Sequence, residues 1–530
     1  MKKLVSLTLA LLLLLMSSAL ASDVDVYTNK QPMPIAEEKI ELTMMAARQA
    51  MHGNWEDMWW FQYMEDLTNI HWNFDLVPSD SYQEKKNLVL ASQDLPDMFY
   101  GGGISKADEV TYGGLGIFIP LNDYLENSMP NFKAAVEKWP DLYTYAITLD
   151  GNVYSFPYIW RSASSGTTKY VINKDWLDTL GLDMPETLDD LYNVLAAFRD
   201  HPELSEKGPM IPFSGLNNSS IQIDQLVLSA YGLLGGSAKQ GFTNYEVVDG
   251  EVKYAATLPQ YKDALTYIKK LYDDGLIDSE YFTQTSEQWS AKGANLQIGM
   301  YNCAAPYVVC SLEEAASYKL MAPLVAEEGQ EKIWPQTSGI QTGRAVITCV
   351  NSYPEETARW IDYTYSTEGA NLEVCGPEGI LWHWVEEGVV WVSEEQKFKD
   401  SGLNSWSGYK LAYVSPDVSP LAMDTSLFYD LEDYPPVKKA WYASYRDQLA
   451  PYYKSFFPDM YYTDEEQMEI SSLTVDIESY VEQCKAKFIV GEMSLDTFET
   501  DYMAALEKMQ LPRLLELQQT AYDRYLANLD

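Results

Sequence analysis

The residues with the clearest chemical potential in this sequence are its aromatic side chains. The 530 residues include 15 Trp, 39 Tyr and 16 Phe, which together make up 13% of the chain. Many of these rings belong in a core, but Trp and Tyr also combine a flat apolar surface with a polar edge. Their excess therefore favours a second use, the stacking of flat and half-polar ligands.

The sequence lacks the spacings of common catalytic and metal sites. The histidines are scattered, without an HExxH pair: His52, His71, His201 and His383. Phe213-Ser214-Gly215 lacks the first glycine of a GxSxG nucleophile motif, and Gly101–Gly103 lacks the context of a phosphate-binding loop. There is no Asp-x-Asp-x-Asp-Gly calcium loop. A glycosidase-like pair of carboxylates is not excluded by counting acids, but none stands out. We predict that the chain is not an enzyme and has no cofactor.

The net charge and the cysteines of the chain narrow the possible functions and the possible cross-links further. With 37 Lys+Arg against 78 Asp+Glu, the net charge is −41. Such a surface repels phosphate backbones and anionic lipid headgroups, which argues against nucleic-acid binding and electrostatic membrane binding as functions. The cysteines are odd in number and widely spread: Cys303, Cys310, Cys349, Cys375 and Cys484. We expect free thiols rather than a disulfide framework or a zinc site.

The first residues are typical of an export signal. Residues 1–21 contain two early lysines, the apolar run Leu4–Met16 and the small-residue cleavage site Ala19-Leu20-Ala21. No later stretch reaches about 18 apolar residues. No cysteine precedes Cys303, so a lipid-attachment cysteine is not seen. We therefore predict an exported, soluble protein, located outside the cell, at the cell surface or in the periplasm.

Strand and helix patterns alternate after the polar segment 22–37, which we expect to be a flexible lead-in. They fall at 39–44 (strand), 61–68 (helix), 71–77 (strand), 82–92 (helix) and 97–100 (strand). This order predicts a parallel sheet with helices on its faces. Ligands bind beyond the carboxyl ends of such strands, and this places Trp55, Trp59, Asp80 and Tyr100 along one rim.

A second α/β unit begins near residue 167. Tyr170–Ile172 has a strand pattern, and Thr187-Leu-Asp-Asp190 has the pattern of a capping box at a helix start. Asp249-Gly250 is a hairpin signature. The tail is strongly helical, and a second capping box, Thr463-Asp-Glu-Glu466, begins it.

Several segments, in a fixed order, resemble one protein family. They are 94–100 (DLPDMFY), 150–157 (DGNVYSFP), 172–182 (INKDWLDTLGL), 355–363 (EETARWIDY), 365–369 (YSTEG), 487–492 (KFIVGE) and 522–525 (YDRY). Together they resemble family 1 extracellular solute-binding proteins, in the branch found with carbohydrate ABC importers. The resemblance implies an α/β, two-lobed periplasmic-binding-protein-like fold (type II), in which each lobe is a mostly parallel sheet flanked by helices, with extra C-terminal helices.

The resemblance also implies a division of the chain and a function. Lobe 1 would comprise residues 38–160 and 340–430, and lobe 2 residues 161–339 and 431–530. The lobes would close on a carbohydrate by hinge motion and deliver it to the membrane permease of an ABC importer. We expect an oligosaccharide as ligand and a monomeric receptor. Two alternatives stay open: a receptor for peptides or other small solutes, and a secreted glycoside-active enzyme.

The same fold places further candidate residues at the cleft between the lobes, where rings could stack on the apolar faces of a sugar. They are Trp160 and Arg161 at the first crossing, Tyr301 and Tyr307 near a turn, Trp334 at the return crossing, and Trp382 and Trp384 after Gly379. Each ring could instead pack in a core. Asp80 could cap a helix, and Arg161 could pair with an acid at the hinge.

Overall fold

The architecture was established from a computed structural model, which describes residues 28–161, 169–217, 221–236, 243–336, 339–386, 390–393, 400–401, 406–424 and 436–527. The predicted export signal, residues 1–21, lies outside this part of the chain. Within the described residues, no helix combines the length and the apolar character needed to cross a membrane.

The strands are short and distributed over the whole chain. In chain order they are β1 (Ile40–Arg48), β2 (Ile70–Pro78), β3 (Met98–Tyr100), β4 (Phe156–Arg161), β5 (Tyr170–Asn173), β6 (Ile211–Ser214), β7 (Tyr245–Val248), β8 (Glu251–Tyr254), β9 (Ile298–Asn302), β10 (Tyr318–Leu320), β11 (Trp334–Gln336), β12 (Ile340–Ile347), β13 (Trp382–Glu386), β14 (Val390–Ser393), β15 (Ala422–Asp424) and β16 (Tyr453–Ser455).

The α-helices lie between the strands and dominate the tail. They are Trp59–Thr68, Ser79–Ser92, Lys106–Gly114, Asn122–Asn127, Pro130–Lys138, Asp141–Thr144, Lys174–Leu180, Leu188–Asp200, Asp224–Ala230, Pro259–Asp273, Ser286–Ala294, Pro354–Asp362, Thr367–Cys375, Trp406–Tyr409, Pro436–Gln448, Asp464–Val490, Met503–Lys508 and Leu511–Ala527.

The first sheet has the strand order β15-β4-β12-β3-β1-β2. Strand β1 pairs in parallel with both β2 and β3, as the strand–helix–strand pattern predicts. Strand β12 returns to this sheet from much later in the chain and runs antiparallel to β3 and β4. Met44 and Ala46 of β1 are completely buried, because helices cover the faces of the sheet.

The second sheet has the order β10-β5-β9-β6, in which β6 is parallel to β9 and the other pairs are antiparallel. The parallel fraction is therefore smaller than expected for this half of the molecule. Strands β7 and β8 form a separate hairpin around Asp249-Gly250, and β11 pairs in parallel with β16.

The protein is mixed α/β with two large hydrophobic cores. One core contains residues from 35–159 and 340–422, and the other contains residues from 170–334 and 441–517. Each core therefore draws on two separate stretches of chain, and β4 and β12 lie next to the points where the chain passes from one core to the other.

The described part of the expected lead-in, residues 28–37, is packed against the first core. The Lys30 backbone N–H donates to Asn131 Oδ1 at 2.9 Å, and Gln31 Nε2 donates to Asp362 Oδ2 at 3.0 Å. Gln31 is buried, and Ile35 joins the core. This segment differs from the flexible lead-in expected from its polar composition, because the Gln31 amide donates to the buried Asp362 carboxylate and Ile35 packs in the core.

Candidate functional site

A large cavity of about 1190 Å³ lies between the two cores. The first sheet and its loops contribute one wall, and β7, the segment after β16 and the last helix contribute the other. Pockets for drug-sized ligands are typically about 300–1,000 Å³. The cavity is therefore large enough for a ligand of several units.

The first wall is a platform of two rings and a guanidinium group. Tyr158 and Trp160 are two residues apart on β4 and share one face of the strand, and their rings stack with centroids 6.3 Å apart and 16° between planes. The guanidinium carbon of Arg344, on β12, lies 4.4 Å from the centre of the Tyr158 ring. All three residues line the cavity. This arrangement offers an aromatic face next to a fixed hydrogen-bond donor.

A close approach of the backbone holds this platform in place. The Trp160 N–H donates to the Gly339 carbonyl at 2.9 Å. Gly339 has φ +71°, and a Cβ atom there would lie 2.5 Å from the Trp160 carbonyl oxygen. Both the dihedral angle and the contact therefore require glycine at this position.

Polar groups accompany the first wall. Arg344 Nη2 donates to Gln341 Oε1 at 2.7 Å. Asp417, which also lines the cavity, pairs with the buried Lys410 at 2.6 Å. Beside this pair, the buried Glu373 carboxylate accepts from the Val418 N–H at 3.2 Å, and burial raises its pKa. Of these groups, Arg344, Gln341 and Asp417 line the cavity and could bind the hydroxyls of a ligand lying on the rings.

The second wall is a run of aromatic side chains. The Phe457 and Tyr522 rings are 5.5 Å apart, and those of Tyr522 and Tyr525 are 6.4 Å apart with 22° between planes. Tyr245, on β7, lies 5.2 Å from Phe457, and burial raises its pKa to about 12. The Tyr462 hydroxyl donates to Gln518 at 2.8 Å, which orients its ring. Together these rings form an aromatic surface on the second core's side of the cavity.

Of the eleven residues predicted for the site, Trp160 is the one that lines this cavity among those whose side chains the structure describes. Trp59 is half-buried and stacks on Tyr63 with ring centroids 4.7 Å apart. Asp80 is exposed in the first turn of helix Ser79–Ser92, whose N-cap residue is Pro78 and not Asp80. The side chain of Arg161, at the end of β4, lies outside the described residues.

Two rings predicted for the rim pack in the first core instead. Trp55 has no exposed surface and stacks on Phe61 with centroids 5.1 Å apart. Tyr100 is also completely buried and meets Trp360 edge-on at 5.8 Å. The position of Trp55 in a loop after Gly53-Asn54 left both ligand contact and packing open, and the ring turns inward because burial removes its large apolar surface from water.

The second core contains two more of the predicted rings. Tyr301 is fully buried, with its ring edge-on to Trp289 at 5.9 Å, and Trp334 is 1% exposed, with its ring edge-on to Tyr170 at 6.0 Å. Tyr307 is half-buried against the same core. In the structure these three rings therefore pack in or against the second core, and none of them lines the cavity.

The last predicted pair lies on β13. Trp382 is half-buried, and its indole Nε1 donates to the Gly376 carbonyl at 2.9 Å. The side chain of Trp384 lies outside the described residues. Groups of three or more His, Cys, Asp or Glu that could hold a metal ion are not found in the described part of the chain.

Sequence reasoning missed most of the second wall. Tyr522 and Tyr525 lie in the tail, which was interpreted as helices without a site, and Phe457 lies just before it. The available signal was the pair Tyr522 and Tyr525, three residues apart and hence on one helix face. On the first wall, Tyr158 could have been found from its spacing to Trp160, because alternate residues of a strand share a face.

Comparison with known proteins agrees with this architecture. Residues 46–371 match the family described as "Bacterial extracellular solute-binding protein". The chain is 29% identical to the fructooligosaccharide ABC transporter substrate-binding protein FusA of Streptococcus pneumoniae, over 99% of this chain and 98% of that protein. The structure of FusA in complex with kestose is similar with a TM-score of 0.73 and 27% identity, covering 92% of this chain and all of that one.

A second solved structure supports the fold. An HMO-binding, ABC-transporter-associated solute-binding protein from Bifidobacterium longum infantis is similar with a TM-score of 0.75 and 20% identity, covering 92% of this chain and 99% of that one. The two cores and the cavity between them thus correspond to the two-lobed fold of such receptors. The chain belongs to the bacterial extracellular solute-binding protein family.

Proposed function

We propose that this protein is the receptor of an ABC importer and binds an oligosaccharide in the cavity between its lobes. The observation that carries the proposal is the pair of facing aromatic walls, Tyr158 and Trp160 on one side and Phe457, Tyr522 and Tyr525 on the other. Each sugar unit has apolar C–H faces that suit such rings. The similarity to FusA, whose name refers to fructooligosaccharides, supports this ligand class.

The polar groups of the cavity would supply orientation. Arg344 presents several donors in a fixed plane, and Asp417 presents acceptors close by. A sugar with its ring on Tyr158 would have hydroxyls around its edge, within reach of such groups. This division between stacking faces and polar edges is what a hydroxyl-rich ligand requires.

We further propose that binding closes the lobes around the ligand. The lobes would be residues 38–160 with 340–430, and residues 161–339 with 431–530. The two separate cores support this division, and β4 and β12 lie where a hinge would form. A closed cleft would release its ligand unchanged to a membrane permease, so we propose a receptor without catalytic activity that acts as a monomer outside the cell after export.

Calorimetry and a thermal-shift screen test the proposal. A fructooligosaccharide such as kestose should bind and raise the melting temperature by mass action, because it binds the folded state. Product analysis should recover the sugar intact. Cleavage would instead indicate a glycoside-active enzyme, and binding of peptides without any sugar would indicate the other kind of receptor. Trp160→Ala should weaken binding, whereas Tyr353→Ala, an exposed ring away from the cavity lining, should not.

A further inference from the structure

A completely buried carboxylate lies at the junction of the two lobes. Glu109, on helix Lys106–Gly114, accepts through Oε2 from the Ser155 hydroxyl at 2.9 Å and from the Tyr461 hydroxyl at 3.0 Å. Ser155 in turn accepts from the Gly343 N–H of β12 at 2.8 Å. One carboxylate thus joins a helix of the first lobe, the start of β4, strand β12 and the segment that follows β16.

A lysine one turn earlier on the same helix contacts the same segment. Lys106 Nζ donates to the Asp459 carbonyl at 2.6 Å and lies 3.4 Å from the Asp459 carboxylate. It also lies above the rings of Tyr145 and Tyr461, 4.4 and 4.5 Å from their centres. The Asp459 N–H donates to the Tyr145 hydroxyl at 3.1 Å. Residues 459–461 are therefore fixed to the first lobe by both charged and hydrogen-bonded contacts.

The segment 456–462, here called the wall segment, also forms part of the second wall of the cavity. Phe457, Asp459 and Tyr462 line the cavity. Phe457 and Met460 pack with Val252 in a small cluster of the second lobe. One face of the wall segment is thus held by the second lobe, and the other by Lys106 and Glu109.

We propose that Glu109 and Lys106 are positioning residues that anchor the wall segment to the first lobe, that this anchor sets the affinity of the cleft for its ligand, and that it weakens when Glu109 ionises. The effect on ligand affinity rests on the proposed function. The anchor itself is a property of the ligand-free protein and does not depend on that function.

The groups around Glu109 explain why the anchor should weaken, and not strengthen, as the pH rises. Burial raises its pKa to about 7, and hydrogen bonds from Ser155, Thr342 and Tyr461 and the charge of Lys106 act in the opposite sense. Beyond these, the Asp459 carboxylate faces Lys106 from the wall segment, while Asp108 on the same helix is paired with Lys86. Since a carboxyl group exposed to water titrates near 4.5, the anchored arrangement holds the proton more tightly. The anchor is therefore complete in acid and is weakened as the pH rises through about 7.

The binding test compares wild type, Glu109→Gln and Tyr461→Phe with kestose as the probe at pH 5.5 and pH 8.0. With a pKa of about 7 in the anchored arrangement and 4.5 when exposed, wild type should bind up to roughly thirtyfold more weakly at pH 8.0 than at pH 5.5. Glu109→Gln is neutral at both values and should bind alike at both. Tyr461→Phe removes a hydrogen bond and should bind more weakly at pH 5.5, with Tyr353→Phe as an exposed control. Equal pH dependence in wild type and Glu109→Gln would overturn the proposal.

Hydrogen exchange of the ligand-free protein provides a separate measurement. After correction for intrinsic rates, the wall segment should exchange faster at pH 8.0 than at pH 5.5 in wild type, and equally in Glu109→Gln. Equal exchange in wild type and Glu109→Gln at pH 8.0, together with wild-type exchange in Tyr461→Phe at pH 5.5, would refute the anchor whatever the ligand. A pH-dependent anchor in a protein that binds no oligosaccharide would instead refute the proposed function and leave the anchor in place. An anchor that responds while the kestose affinity does not would refute the coupling.

Discussion

Replacing Trp160 by alanine tests the position of the site most directly. Trp160 is half-buried, stacks on Tyr158 and presents its other surface to the cavity. Loss of one stacked ring is worth about 0.5–1.5 kcal/mol beyond area burial. If a ligand covers roughly 40 Å² of the indole, the lost burial adds about 1 kcal/mol at 25 cal/mol per Å². The expected loss of about 1.5–2.5 kcal/mol weakens binding roughly tenfold to seventyfold.

The assay is isothermal titration with kestose, accompanied by urea unfolding of the same preparations. Trp160→Ala should retain most of its free energy of unfolding, because β4 keeps its backbone pairing with β12. Wild-type affinity in a folded Trp160→Ala variant would show that the ligand does not lie on this platform, and the reasoning from the cavity would fail.

The matched comparison is Trp55→Ala, since Trp55 was also predicted to bind ligand but is completely buried. Removing it leaves a large cavity in the first core, at a cost of about 3–5 kcal/mol in the free energy of unfolding. Trp160→Ala should therefore lose affinity for the ligand, whereas Trp55→Ala should lose stability. A Trp55→Ala protein of full stability that no longer binds sugar would mean that Trp55 contacts the ligand after all.

Three further outcomes follow from the contacts described. Lys485→Met removes the cation that lies 2.6 Å from the buried Asp224 carboxylate. It should lower the free energy of unfolding, measured by urea unfolding, by about 3–5 kcal/mol. Adding Asp224→Asn to this variant should restore part of the lost stability. Gly339→Ala should lower the free energy of unfolding more than Gly151→Ala, because both glycines have positive φ but only Gly339 has a backbone atom close to the added Cβ. Equal losses in urea unfolding of the two variants would contradict this. Among the described residues, four acidic side chains and one arginine line the cavity. A carboxylated oligosaccharide should therefore bind more weakly than a neutral one of equal length, and the difference in affinity should shrink in high salt. Equal affinities of the two sugars at low salt would contradict this.

Local chemistry made much of the fold predictable. The capping boxes at Thr187 and Thr463 were predicted and are confirmed, since each threonine accepts from a backbone N–H of its helix and the acid three residues later reaches back. The Asp249-Gly250 hairpin and the parallel pairing of β1 with β2 and β3 are confirmed as well. These features depend on residues that are near one another in sequence.

The candidate site was less predictable because it depends on contacts between distant segments. A single aromatic residue does not indicate whether its ring faces a core or a cleft, and for Trp55 and Trp334 the structure shows core packing. The second wall combines Tyr245, Phe457 and Tyr525, which are up to 280 residues apart and share no local pattern. The resemblance to a known family indicated that a cleft exists, whereas the rings that line it emerge only from the packing of the tail.

The location of Tyr522 and Tyr525 in the last described helix has a practical consequence for anyone who labels or truncates this protein. An affinity tag or a fluorescent reporter attached directly after Ala527 would be separated by two residues from Tyr525, which lines the cavity. Removing residues 521–527 would take away two of the five rings of the second wall, Tyr522 and Tyr525, while leaving both hydrophobic cores nearly intact. We expect such a variant to keep its two cores and to bind its ligand more weakly, so that weak binding would report on the missing rings and not on the fold.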